Sequence, residues 1–421
     1  QYYDNITEMD AQAGARLKEL EEAGLAEDTI VFFYSDHGAG MPRSKRWPYN
    51  SGLHMPLVVY FPEKFRHLAP KDYAPGGKTD RLVSFVDFAP TLLSLVGIKP
   101  PDYLQGHAFM GTYEAAAQPY IYGFRGRMDE RDDMVRSVRD KRFVYIRNYM
   151  PHRIYGQHVS YMFETPTTQV WKRLYDEGKL KKPQTHFWQT KPAEELYDLE
   201  SDPDEVNNLA GLPRYQEVLR RLQWAQQDLA RRIRDVGFLP EDEIHLRSKG
   251  TTPYEMGHDD RKYPLERVLS TAEVAAALRP EVLGQLTDAL ADRDSAVRYW
   301  GAMGVLMRGK LATVLSRREL QKALADESPA VRTVAAEALG KYGDAADLNR
   351  ALIVLLDLAP LKKNSLYVSI RALLAIDELD RKAAPALQAI KDLGKTPAAP
   401  DNRLGGYVPR LIEKIISDLE R

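Results

Sequence analysis

Cysteine is absent from the 421 residues, which excludes disulfides, thiolate catalysis and cysteine-ligated metals within this stretch. A dominant charge is missing too: 59 Lys and Arg stand against 60 Asp and Glu. No global field of one sign draws in nucleic acid or an anionic lipid surface, so no nucleic-acid partner is expected and any partner must be read by local sites. Apolar runs are short, and none approaches the roughly 18 residues that cross a bilayer, so no membrane span is predicted. What is present is a globular composition, 44% hydrophobic, on a chain with room for two or three domains at roughly 150 residues each.

The sequence starts at Gln1 without a basic and apolar leader, and by residue 6 it is already inside an amphipathic pattern. It is expected to be a piece of a longer protein. Ile6, Met9, Ala13, Leu17 and Leu20 recur at helical spacing, and Gly24 supplies a stop. Thr29 to Tyr34 is a continuous apolar and β-branched run, and Leu57 to Phe61 is a second. Both predict strands buried on two faces in a parallel sheet. Asp87 then caps a helix with Pro90 in its first turn. Residues 1–117 therefore read as part of an α/β domain.

Residues 118–239 change character. Tyr120 to Tyr122, Met134 to Val138 and Phe143 to Ile146 are short alternating strands, which predict a small antiparallel sheet followed by a helix. The stretch 240–267 carries Pro and Gly without periodicity and is expected to be a linker. Beyond 268 strand patterns vanish. Ala291 to Arg298 (Ala-Asp-Arg-Asp-Ser-Ala-Val-Arg) returns 34 residues later as Ala325 to Arg332 (Ala-Asp-Glu-Ser-Pro-Ala-Val-Arg). A helix pair repeating at that length resembles the HEAT family of α-solenoids, so 268–421 is expected to be an all-α, right-handed stack, packing on the α/β part or binding a protein partner.

Chemistry gathers between the first two strands. Ser35-Asp36-His37-Gly38 follows the first strand, where an Asp offers a hard oxygen ligand, a His a nitrogen, and Gly lets the backbone turn away. Taken alone, the motif is more often a turn than a metal site. A loop with three cations follows, Arg43, Lys45 and Arg46, whose plain reading is a solvated basic loop. His54 comes just before the next strand.

These residues resemble the C-terminal half of the sulfatase family, within the alkaline-phosphatase superfamily. The matching stretches are Tyr2 to Ile6 with Met9-Asp10, Asp28 to Val31 with Ser35 to Gly38, and Lys45 with Gly52 to Leu57. Further on come Val86 to Leu93 with Gly97-Ile98, and Glu195 to Leu199 with Asp202 to Glu205 and Asn208-Leu209. The wording around Lys45 is most similar to bacterial enzymes resembling heparan N-sulfatases. The resemblance implies a calcium-dependent hydrolase of sulfate esters or N-sulfates on a sulfated glycan, in the periplasm or secreted. Asp36 and His37 match metal ligands, Lys45 matches the sulfate-contacting lysine, and His54 lies where the family places a substrate-facing residue. Lys45 and the cation would neutralise charge developing on the sulfuryl oxygens.

The chain also departs from the family. Sulfatases use a formylglycine made from Cys or Ser in a Cys/Ser-x-Pro-x-Arg motif, and the 421 residues hold neither that motif nor the family's paired N-terminal aspartates. The nucleophile is expected upstream, and this stretch alone is expected to be inactive. His107 could face the cleft or be an ordinary surface histidine, and Arg125 and Arg127, in a charged loop with Asp129 and Glu130, are candidates for contacting sugar sulfates. Glu195 to Asp204 reads as turns that close the small sheet. Two other readings stay open: a non-catalytic HEAT-repeat scaffold carrying a remnant domain, and a phosphate-ester or phosphonate hydrolase of the same superfamily.

Overall fold

The structure is a computed structural model that describes residues 2–393 and 404–421. Helix α1 (Tyr2–Glu22) forms where the periodicity predicts it, but none of its residues is buried. Its apolar stripe lies open, with Ile6, Met9 and Leu17 between 41% and 48% exposed.

Strands β1 (Val31–Tyr34) and β2 (Leu57–Tyr60) pair antiparallel, Val31 opposite Tyr60 and Tyr34 opposite Leu57. This corrects the expected parallel, doubly buried pair. A parallel return needs a crossover, usually a helix laid across the sheet. The connection here holds only the single turn α2 (Asn50–Leu53) and folds back on itself. One face of the ribbon packs Phe32, Leu57 and Val59 against Phe61, Phe109 and Met110, while Phe33, Val58 and Tyr60 face outward. Helix α3 (Phe88–Leu95) lies beside it, with Phe88 edge-on to Tyr34 at 5.0 Å.

The second sheet runs in the order β3 (Ile121–Arg125), β4 (Val135–Arg139), β5 (Phe143–Asn148) and β6 (Glu194–Asp198), all neighbours antiparallel. Two short helices, α4 (Ser160–Phe163) and α5 (Pro166–Asp176), lie between β5 and β6. Alternation gives the sheet two working faces. One buries Val138, Tyr145 and Leu196 under Leu219, Leu222 and Ala225 of helix α6 (Gln216–Arg232). The other buries Val135, Val144, Ile146 and Tyr197 together with Trp47 and Tyr49, which come from the β1–β2 connection. The two apolar anchors bind the first segment to the second.

Residues 240–267, expected as a linker, are instead built into the core. They form α7 (Glu241–Arg247) and α8 (Pro253–Gly257), and Met256 and Tyr263 are fully buried. The Thr252 hydroxyl caps α8 and Glu255 returns the bond to the Thr252 N–H, a reciprocal cap that starts a helix at Pro253.

The remaining helices are α9 (Leu265–Ala276), α10 (Leu283–Ala289), α11 (Ser295–Met307), α12 (Gly309–Leu315), α13 (Arg317–Ala323), α14 (Pro329–Tyr342), α15 (Ala345–Leu358), α16 (Leu366–Glu378), α17 (Leu387–Leu393) and α18 (Tyr407–Glu420). Within the expected 268–421 region, residues 394–403 lie outside the described residues. Helices α9, α11, α14, α16 and α18 pack in succession. One core runs from Met134 and Tyr149 of the sheet subdomain through Val297 and Trp300 to Val331 and Leu339, so sheet and helices share it. A second lies among α15, α16 and α18. No helix among the described residues is long and apolar enough to cross a membrane.

Candidate functional site

The β1–β2 connection carries Asp36, His37, Lys45 and His54. Because Tyr34 pairs with Leu57, the end of β1 and the start of β2 share one end of the ribbon, and the loop returns Asp36–His37 and His54 to the same rim. The loop closes on itself at two glycines. A Cβ at Gly38 would lie 2.0 Å from the Ser51 carbonyl oxygen, and one at Gly52 2.3 Å from that of Ser44, so neither position admits a side chain. Gly38 N donates to Gly52 O at 3.2 Å and Ser44 Oγ to Ser51 O at 2.6 Å. Lys45 N donates to Ala39 O at 3.1 Å, which places the lysine beside the Asp36–His37 turn.

Polar anchors fix the loop from the sheet subdomain. Tyr49 Oη donates to Glu195 Oε2 at 2.9 Å, and Tyr197 Oη donates to the same oxygen at 2.7 Å. Arg43 reaches the carbonyls of Asp204 and Glu205, and Asn50 N donates to Glu205 Oε2 at 2.8 Å. Burial pushes the Glu205 carboxyl up to about 7, against the Asn50 N–H and the Arg43 charge, which favour its ionised form. The acidic run from Glu195 to Asp204 thus holds the loop and its own turn: Asp202 accepts from Val206 N and Asn207 N.

Asp36 is exposed, with its Oδ2 3.6 Å from His37 Nε2, while His37 Nδ1 is 2.7 Å from Gly38 O. His54 lies at the rim; partial burial and then the charge of Arg139 lower its pKa from 6.5, so it stands neutral at pH 7. The Lys45 ammonium sits 5.4 Å from the centre of the Tyr161 ring, and among the described residues no carboxylate pairs with it.

The other candidates fall elsewhere. Arg125 is 1% exposed, lies 3.5 Å over Trp47, and pairs with Asp133, which also takes Lys191 at 2.8 Å. That leaves it no face for a solvent-borne sugar. Arg127 is bound through two nitrogens to Glu241 of α7 and has the rings of Tyr367 and Tyr407 near its guanidinium. It sits on the seam with the helices. His107 is held by its backbone, its N–H donating to Asp87 Oδ1 at 2.8 Å. Tyr161 was not indicated by the sequence, because a tyrosine in an irregular polar stretch carries no periodic signal.

Asp36 and His37 supply one oxygen and one nitrogen donor, whereas Ca²⁺ takes about six to eight oxygen ligands. Among the described residues no group of three or more His, Cys, Asp or Glu converges to hold a metal. These side chains alone do not fit a calcium ion.

Residues 1–98 match the family model described as Sulfatase. Over 243 residues the chain is 46% identical to an ulvan-active sulfatase of Formosa agariphila, covering 58% of this chain and 39% of that protein. It is 29% identical over 252 residues to human N-sulphoglucosamine sulphohydrolase, covering 54% of this chain and 47% of the relative. A solved structure of a protein in complex with its substrate D-glucosamine-2-N,6-O-disulfate superposes with a TM-score of 0.37 at 20% identity, over 54% of this chain and 39% of that one. The chain spans less than half the length of these relatives.

Proposed function

We propose that this chain is the C-terminal part of a sulfatase-type hydrolase that cleaves sulfate esters or N-sulfates of a sulfated glycan. The observation that carries the reading is the β1–β2 loop. It carries Asp36, His37, Lys45 and His54 in one connection, closed on itself by Gly38 N to Gly52 O and Lys45 N to Ala39 O, and leaves the Lys45 ammonium without a carboxylate partner among the described residues. Three ammonium N–H donors on a half-buried lysine suit the oxygens of a tetrahedral sulfuryl group, and Lys45 would stabilise charge there as the sulfur–oxygen or sulfur–nitrogen bond breaks. His54, neutral at pH 7, would offer one hydrogen-bond donor and one acceptor to the substrate. Asp36 and His37 would form part of a calcium shell, and a formylglycine nucleophile would come from residues outside this sequence. The exported location of such an enzyme and the HEAT-like character of its helices belong to the same proposal. In support of the latter, Val297 and Val331, 34 residues apart, are both buried at the start of a long helix.

The test has two arms. The 421-residue chain should bind inorganic sulfate, lose that binding on Lys45→Met, and release no sulfate from an aryl sulfate. In the longer protein, Lys45→Met should lower kcat/KM by roughly 10²-fold or more, the scale of removing one transition-state donor. Undiminished turnover in that variant would reject the assignment of Lys45.

A further inference from the structure

The Tyr161 ring has two cations against it, with the Lys45 ammonium 5.4 Å and the Arg46 guanidinium carbon 4.9 Å from its centre. The two differ. Arg46 Nε is 3.0 Å from Asp129 Oδ2 and is neutralised by it, whereas Lys45 has the ring and, among the described residues, no carboxylate partner. One segment, 125–131, fixes both sides of this arrangement. On the loop side Arg125 Nη1 donates to Arg46 O at 2.6 Å, and Asp129 holds the guanidinium. On the α4 side Glu130 Oε1 accepts from Ser160 N at 2.6 Å, and Arg131 Nε donates to His158 O at 2.6 Å. Arg46 and Asp129 both have left-handed backbones, φ 82° and 51°. Non-glycine residues persist there only where the surroundings over-determine them, as this ion pair and its anchors do.

We propose that Tyr161 is a positioning residue for Lys45. Its ring draws the ammonium to a fixed place by cation–π attraction, and because it carries no net charge it leaves the lysine's charge available to a tetrahedral oxyanion of the sulfate type. A carboxylate at the same position would fix the lysine equally well but compete with the anion. Asp129 removes the neighbouring arginine from that role, so of the two cations against the ring Lys45 is the one without a carboxylate partner among the described residues. This inference rests on the sulfate-binding reading of Lys45.

Reductive ¹³C-methylation of the lysines in the full 421-residue chain tests it, with Lys45→Arg to assign the resonance and inorganic sulfate as the probe. The Lys45 methyl signal should be displaced upfield by the ring in the wild type and in Tyr161→Phe, and should return to the position of solvent-exposed lysines in Tyr161→Leu. Sulfate affinity should fall roughly three- to tenfold in Tyr161→Leu, as loss of one cation–π contact implies, and stay unchanged in Tyr161→Phe. Tyr161 is 49% exposed, so leucine is not expected to unfold the chain, and circular dichroism checks this. An unmoved Lys45 signal in Tyr161→Leu, with sulfate binding still lost on Lys45→Met, overturns the positioning role alone. Sulfate affinity unaffected by Lys45→Met overturns the functional reading and this inference with it.

Discussion

Arg298 of α11 reaches across to the next helix pair, where its Nε and Nη2 lie 2.7 and 2.8 Å from the two carboxylate oxygens of Asp326. Its Nη1 also donates to Asp292 O at 2.9 Å, and 34 residues later Arg332 Nη1 makes the equivalent bond to Asp326 O at 3.2 Å. The bidentate fork is largely buried, with side-chain exposures of 9% and 11%. Arg298→Met should therefore destabilise by about 2–4 kcal/mol, at and below the scale of an orphaned buried ion pair, and Arg298→Lys by less, since a point charge keeps the attraction but loses the fork. Urea unfolding checks both, and equal stability of the methionine variant and wild type would refute the link.

Val331 opens α14 and is fully buried in the shared core, where the sequence repeat put it. Val331→Asp places an unpaired carboxylate there and should cost at least about 3 kcal/mol. Because that core extends to Tyr149 of the sheet subdomain, near-ultraviolet circular dichroism should lose its aromatic signal together with the helical one. An unchanged melting curve would show that the position tolerates charge.

Helix α1, the antiparallel second sheet and the 34-residue return of the helices that open with Val297-Arg298 and Val331-Arg332 were legible because periodicity and a short repeated motif are local. The direction of β2 was not, since a buried strand has the same composition in either orientation, and the absence of a crossover helix shows only in the folded loop. The helices in 240–267 had a readable sign in Thr252-Pro253 with Glu255, masked by the Pro and Gly around it. At the site, the sequence placed residues 36, 37, 45 and 54 between the first two strands, and the structure has them in that one connection. The fates of Arg125 and Arg127 were not, because pairing with Asp133 and Glu241 depends on long-range packing.

Arg153 crosses from the sheet subdomain to the helices, its Nη2 2.7 Å from Glu337 Oε2 and its Nη1 2.8 Å from Glu378 Oε2. Burial raises both carboxyls, but Arg153 and Lys341 outweigh it at Glu378 and hold that group at about 2. At Glu337 burial prevails and the pKa is raised. Arg153→Met leaves the buried Glu337 carboxyl without its partner beside a cavity with room for a water molecule, while the partly exposed Glu378 keeps Lys341 at 2.9 Å, and should destabilise by about 3 kcal/mol. Hydrogen exchange should show the α14–α16 amides opening faster than in wild type. Protection unchanged along that seam would mean that apolar packing alone holds it.

Glu205 gives the stability a pH dependence of defined sign. Its carboxyl titrates near 7 when folded and near 4.5 when exposed, burial being the main cause. At pH values below about 4.5 it is protonated in both states. Between 4.5 and 7 the unfolded chain releases the proton first, so stability falls across that window and levels off above it, by on the order of 3 kcal/mol if the group acts alone. Glu205→Gln keeps an acceptor for Asn50 N and removes the titration, and the Arg43 bonds to the Asp204 and Glu205 carbonyls remain. The variant should thus match wild type near pH 4.5 and melt higher than it at pH 8, with the gap opening between those values. A melting difference that does not vary with pH would assign the titration to another group.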